Sequence, residues 1–282
     1  MDDVEPIPVT IKAVGSMAAI NAAGWNACAG SENPFVRHEF LDALEISGSA
    51  TAETGWGPYH LLIEDDAGAP VGVAPMYVKG HSQGEYVFDH NWAHAYEQAG
   101  GRFYPKLLIA VPFTPVTGPR LLVRPDQDRA LIESNLIAGG LEVAKRLDLS
   151  SLNINFPSEG EWKRLGEAGF LMRTGEQFHW LNDGYGSFDD FLGALSSRKR
   201  KAVRRERRDA NAEGINIVVV SGADLREQHW DTFFAFYMDT GSRKWGRPYL
   251  TRKFFSIVSE TMADSIVLVL AKRAGRYIAG AL

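Results

Sequence analysis

The order strand, helix, helix, hairpin occurs twice in this chain, and the second occurrence echoes the first in two short stretches. Asn33-Pro34-Phe35-Val36 followed by Phe40-Leu41 corresponds to Arg247-Pro248-Tyr249-Leu250 followed by Phe254-Phe255, at an offset of 214. In the hairpins, Leu61-Leu62-Ile63 with Ala67-Gly68 corresponds to Leu268-Val269-Leu270 with Ala274-Gly275, at an offset of 207. A duplicated unit constrains the fold strongly, because each copy must bury its own apolar faces. The alternative is a pair of unrelated αβ segments that share only hairpin chemistry.

The rest of the pattern fills in around these copies. The first copy reads as a strand at 6–14, a helix from Ser16 to Ala29, a helix from Pro34 to Ile46, and strands at Tyr59–Glu64 and Val71–Val78 about an Asp65-Asp66-Ala67-Gly68 turn. It continues through a strand-like stretch, Leu107–Val123, punctuated by Pro112, Pro115 and Pro119. Then come a helix at 127–147, a strand at 151–156, a helix at 160–168 and an extended segment at 170–181. A helix over 187–214 follows, with Ser187 and Asp190 at capping-box spacing and Gly214 as its stop. The second copy is a strand at 215–221, helices at 224–241 and 251–262, and a hairpin of 265–270 with 277–282. This predicts a mixed α/β fold in three parts: residues 1–186, a connecting helix 187–214, and a partial second domain 215–282. The second copy ends inside its hairpin at Leu282, whereas the first runs on well beyond its own. The expectation is a truncated second copy whose free strand edge favours self-association.

Charge is distributed unevenly. The chain carries a net −5, yet residues 198–208 hold eight Lys and Arg against the single Glu206. On a helix, Arg198, Lys201, Arg205 and Arg208 form one stripe, with Arg200, Arg204 and Arg207 beside it. Such a run predicts an anionic partner; the alternative is a solvated face balanced by the acidic remainder. Residues 81–106 break the regular pattern with Tyr86, Phe88, Trp92, Tyr96, Phe103 and Tyr104 set among Asp89, His90, His94 and Lys106. A stretch this long and this aromatic predicts a cleft wall for a planar or sugar-like ligand, against a small satellite core. His90 and His94 stand at zinc-binding spacing, but spacing sets no third ligand, and no metal is expected. In Thr240-Gly241-Ser242-Arg243-Lys244-Trp245-Gly246, the cations and Trp245 suit an anionic group and Asp239 a base; a helix end and solvated loop is the alternative. His179 and Trp180 read as core residues of a strand.

Several classes are excluded. The single cysteine, Cys28, rules out a disulfide framework and reads as a small buried hydrophobe. No apolar run reaches the ~18 residues of a membrane span. The acidic start lacks the features of a signal peptide, so a cytoplasmic location is expected. There is no G-x-S-x-G, P-loop, H-E-x-x-H or G-x-G-x-x-G.

The segments KLLIAVPFTPVTGPRLL, GEQFHWLNDGYGSFDDFLGALSSRKRKAVRRERR and FYMDTGSRKWGRPYLTRKFF resemble the FemAB-like branch of the GNAT acyltransferase superfamily, the "peptidoglycan biosynthesis/recognition" or "GNAT family N-acetyltransferase" proteins. Leu165-Gly166-Glu167-Ala168-Gly169-Phe170 is similar to the GNAT signature in which a late helix runs into the last strands. The resemblance covers nearly the whole chain. It implies a tandem GNAT-like fold and transfer of an acyl or aminoacyl group to an amine acceptor. Acyl-CoA or aminoacyl-tRNA would serve as co-substrate, with no permanently bound cofactor. It further implies that Arg198, Lys199, Arg200, Lys201, Arg204 and Arg205 meet the donor's phosphates. Trp92, Tyr96, Lys106, Lys244 and Trp245 would bind substrate, and Asp89, Tyr104 and Asp239 would serve catalysis. In GNAT folds the strand matching 107–120 offers amides to the acyl carbonyl, and the turn after it wraps the pyrophosphate of CoA. Here that turn, Pro115-Val116-Thr117-Gly118-Pro119-Arg120, departs from the family's pattern with one glycine and two prolines that have no N–H to give. A non-catalytic binding module of the same fold, recognising RNA or a cell-wall precursor, is the other function class in play.

Overall fold

The computed structural model describes residues 10–211, 214–243 and 247–282. Its elements in chain order are β1 (Ile11–Val14), α1 (Ala22–Ala29), α2 (His38–Ile46), β2 (Trp56–Pro58), β3 (His60–Glu64), β4 (Pro70–Ala74), β5 (Met76–Lys79), α3 (His90–Gln98), β6 (Lys106–Ile109), β7 (Leu122–Val123), α4 (Arg129–Arg146), β8 (Leu152–Ile154) and α5 (Glu159–Glu167). Then come α6 (Phe188–Ala194), α7 (Ser197–Ala210), β9 (Ile215–Ser221), α8 (Glu227–Ser242), α9 (Arg252–Thr261), β10 (Val267–Arg273) and β11 (Arg276–Ala281). The mixed α/β fold expected from the sequence is the fold observed. The chain divides into two compact units: Met1–Phe170 with Gly241–Ala263, and Leu171–Thr240 with Asp264–Leu282.

The first unit holds two four-stranded sheets, β1-β3-β4-β7 and β2-β5-β6-β8. One hairpin serves both. β3 pairs with β4 in the first sheet and β2 with β5 in the second, both antiparallel. Pro75 sits between β4 and β5. Lacking an N–H, it interrupts the ladder where the strand passes from one sheet to the other. Helix α4 covers an apolar core of Leu61, Ile63, Leu107, Ile109, Ile132 and Leu136. Trp25, Val36, Leu41, Leu62 and Val73 build a second core under α1 and α2.

The second unit carries the three-stranded sheet β11-β10-β9, and its pairing repeats the first copy. β1 pairs antiparallel with β3 and β3 with β4, as β9 pairs with β10 and β10 with β11. The β10–β11 turn places Ala274 and Gly275 at φ 48° and 79°, the left-handed geometry that a two-residue hairpin loop requires. Within the first unit, the matched helices meet. Phe40 of α2 lies edge-on to Phe254 of α9 at 5.7 Å, and these are the residues that correspond at offset 214. The Thr251 hydroxyl donates to the Ser47 carbonyl at 3.0 Å, and Lys253 Nζ to the Ile46 carbonyl at 2.8 Å.

Three expectations need correction. The helix over 187–214 is two helices: Leu195 is extended (φ −81°, ψ 151°), and α7 starts afresh after Ser196. The aromatic excursion 81–106 is not all loop, since His90–Gln98 is helical. Residues 170–181 form no strand, so they have no sheet face to bury; His179 and Trp180, expected in the core, are exposed. Among the expected strand residues 6–14, 6–9 lie outside the described residues, as do Lys244 and Trp245.

Candidate functional site

The register of β5 on β6 sets Lys79 directly opposite Lys106. Like charges so placed repel, and both side chains are fully buried. The excursion between the strands supplies the remedy. Lys106 Nζ donates to Glu85 Oε2 at 3.0 Å, Asp89 Oδ2 at 2.8 Å and Ser82 Oγ at 3.0 Å. Ser82 Oγ in turn lies 2.7 Å from the Tyr104 hydroxyl. Lys79 Nζ sits 3.6 Å above the Trp56 ring and donates to the Gln83 carbonyl at 3.3 Å. Burial, aided by the nearby Lys106 charge and opposed by Glu85 and Asp89, pulls the Lys79 amine down to about 7. Burial likewise raises the Glu85 carboxyl against the pull of Lys106. At Asp89 burial also works upward, but the hydrogen bonds from Lys106 and Ser82 outweigh it and hold this carboxyl below its ordinary value. Burial raises the Tyr104 phenol. The excursion is thereby pinned to the sheet, and α3 presents Trp92 and Tyr96 outward at 69% and 51% exposure.

The proline-rich loop after β6 is held from inside. Arg120 is buried, and its guanidinium donates to the carbonyls of Asn155 (2.9 Å), Val116 (2.6 Å), Gly118 (3.2 Å) and Pro119 (3.1 Å). Glu161 Oε1 accepts the N–H groups of Arg120 and Leu121 at 2.9 and 2.8 Å. The Gly118 N–H goes to the Phe156 carbonyl at 3.1 Å. Burial draws the Arg120 guanidinium down to about 10, with Glu161 opposing. The loop therefore turns its carbonyls toward the Arg120 guanidinium, and the N–H groups of Gly118, Arg120 and Leu121 are already engaged within the fold.

In the second unit, α7 divides its cations by task. Arg200 caps α6, donating to the Leu192, Gly193 and Leu195 carbonyls at 2.9, 3.1 and 3.0 Å. Arg204 pairs with Asp189 at 3.4 Å, and Arg205 with Asp209 at 3.6 Å. Arg198, Lys199 and Lys201 are exposed and enter no ion pair among the described residues. All three fall in the first turns of α7, where the helix dipole disfavours positive charge and the Ser196 side chain makes no cap.

The sequence model of the FemAB-like family, described as peptidoglycan biosynthesis/recognition, matches residues 16–282. The chain belongs to the FemAB-like family. No curated protein matches it. Among solved structures it is similar to an aminoglycoside antibiotic 6′-N-acetyltransferase from Acinetobacter baumannii, with 11% identity over 64% of this chain and 100% of that one and a TM-score of 0.36. It is also similar to an acetyltransferase from Trypanosoma brucei, with 13% identity over 62% and 99% and a TM-score of 0.36. A third is an aminoglycoside N-acetyltransferase in complex with CoA, with 11% identity over 64% and 99% and a TM-score of 0.38. Likenesses this remote carry no argument about activity.

In this FemAB-like chain the structure joins Asp89, Tyr104 and Lys106 in one network and adds Lys79, Ser82 and Glu85, which sequence reasoning missed. The missing signal is the β5–β6 register: two lysines 27 residues apart reveal nothing until their strands pair. Trp92 and Tyr96 stand on the outer side of the pinned excursion. Asp239 is exposed on α8 in the second unit. Cys28 is buried, and its thiol is pushed up to about 11. Among the described residues, no helix is long and apolar enough to cross a membrane.

Proposed function

We propose that this FemAB-like chain transfers an acyl or aminoacyl group from a phosphate-bearing donor, an acyl-CoA or an aminoacyl-tRNA, to an amine. The observation that carries the reading is the family match from residue 16 to residue 282. The chemistry asks for a neutral amine to attack the activated carbonyl carbon, for stabilisation of the oxyanion that forms, and for a proton delivered to the departing thiol or hydroxyl. The exposed Arg198, Lys199 and Lys201 supply the donor's phosphate contact. Trp92 and Tyr96 line the acceptor's approach. Asp89 and Lys106 position them, because a carboxylate held ionised by an ammonium is a weak proton acceptor.

The binding-module reading has one observation in its favour: the loop 112–121 is tied inward through Arg120, whose guanidinium takes up the carbonyls of Val116, Gly118 and Pro119. Titration of the full chain with aminoacyl-tRNA and, separately, acetyl-CoA at two salt concentrations, followed by assay of label transfer to an amine, decides between them. Transfer from either donor is the expected result. Tight binding without transfer from either donor favours the module.

A further inference from the structure

The stretch from Trp180 to Asn211 holds two open grooves side by side, of 530 and 580 Å³, which share Phe188. The first is walled by aromatic rings. Trp180 and Tyr185 lie within 26° of parallel at 6.5 Å, and Phe191 meets Trp180 edge-on at 5.9 Å and Tyr185 at 5.7 Å. These rings cluster on one another, yet Trp180 stays 66% exposed and Phe188 41%. The second groove is walled by Arg204, Arg207 and Arg208. At the seam, the Arg207 guanidinium stacks 4.1 Å above the Phe188 ring. Asp189 is the carboxylate that lines this groove beside the three arginines. Its pair with Arg204, at 3.4 Å with both side chains mostly in water, is of the weak exposed kind that an entering anion replaces. The two helices that meet at this seam are tied together: Ser187 Oγ accepts from the Asp190 N–H at 3.2 Å at the start of α6, and Arg200 closes its end onto α7.

A flat π surface joined at one ring to an arginine wall has a matching ligand chemistry. The aromatic half stacks a planar heterocycle of any sequence. The guanidinium half holds phosphate in forked hydrogen bonds. We propose that this groove binds a nucleoside phosphate, with its base against Trp180 and Phe188 and its phosphate on Arg204 and Arg207. The assignment rests on the reading of the chain as a transferase with a phosphate-bearing donor, and it locates the nucleotide end of that donor. Such a nucleotide comes from two sources, the adenosine bisphosphate part of an acyl-CoA and the 3′ end of an RNA.

The test is equilibrium binding to the full chain of three probes: adenosine 3′,5′-bisphosphate, a short single-stranded oligoribonucleotide ending in CCA, and inorganic pyrophosphate. Each is measured for the wild type, W180A, W180F, R204A/R207A and R198A/K199A/K201A, with circular dichroism confirming that each variant is folded. The groove predicts that W180A and R204A/R207A each weaken nucleotide binding at least tenfold. W180F restores most of the affinity, and pyrophosphate binds far more weakly than either nucleotide. Equal affinity for bisphosphate and oligonucleotide points to the cofactor, and a strong preference for the oligonucleotide to RNA; both support the groove. If pyrophosphate competes as well as the nucleotides and W180A has no effect, base recognition here is overturned. If only R198A/K199A/K201A abolishes binding, the groove falls while the donor reading stands. If no probe binds, both fall.

Discussion

The first unit buries Lys79 and Lys106 side by side and brings Glu85, Asp89, Ser82 and the Trp56 ring to meet them. In the second unit, α7 lines up a longer run of cations in water, commits Arg200 to backbone carbonyls, and leaves Arg198, Lys199 and Lys201 without a carboxylate among the described residues. Desolvation accounts for the contrast. A buried ammonium is tolerable only with partners inside the chain, so those charges are consumed in holding the fold. An exposed ammonium costs the fold little and remains available to an outside anion. Positive charge is thus consumed by the fold in one region and left in solvent in the other.

Four outcomes would sharpen or break that contrast. The largest effect is expected at Lys106. K106M strands Glu85 and Asp89 as buried carboxylates and should cost about 3–5 kcal/mol in chemical denaturation, with much of the loss recovered in K106M/E85Q/D89N. A loss under ~1 kcal/mol would mean that the cluster is solvated and the contrast is false.

Next comes the pH response of Lys79. The unfolded chain keeps this proton up to the ordinary lysine value of 10.5, whereas the folded chain releases it above about 7. Between those values the unfolded state binds more protons, so stability rises with pH, by up to ~1.4 kcal/mol per unit from this group. K79M should remove that slope between pH 7 and 9 and be more stabilising relative to wild type at pH 7 than at pH 9. A slope equal in K79M and wild type would count against the buried amine.

Arg200 separates the two roles within one helix. R200A should cost about 1 kcal/mol by freeing the α6 carbonyls, visible as a lower denaturation midpoint, while the salt dependence of donor binding stays as in the wild type. The smallest stability effect belongs to R198A/K199A/K201A, within about 0.5 kcal/mol of the wild type.

The parts of this design that could be read from the sequence are the local ones. The repeated Pro-aromatic-aliphatic motif at 34–36 and 248–250 flagged the duplication because both copies bury the same helix face, down to Phe40 on Phe254. The β10–β11 turn was legible from Ala274-Gly275, and the α4 helix from its apolar spacing. What stayed hidden depends on partners far away in sequence. Lys79 and Lys106 become a site only through strand register, and Arg120 looks like a surface cation until four carbonyls close on it. The break between α6 and α7 was masked because the basic run gives no local signal that Leu195 is extended. Trp180 misled for the converse reason: its pattern is strand-like, and no neighbouring strand takes it up.

The salt dependence of donor binding, measured on R198A/K199A/K201A beside the wild type, tests the central contrast most directly. If these exposed cations receive the donor's phosphates, the slope of log affinity against log salt should fall by about 1 for each cation removed, with unfolding unchanged. A slope that stays at the wild-type value would show that these three cations are a solvated face and that the donor's phosphates are held elsewhere.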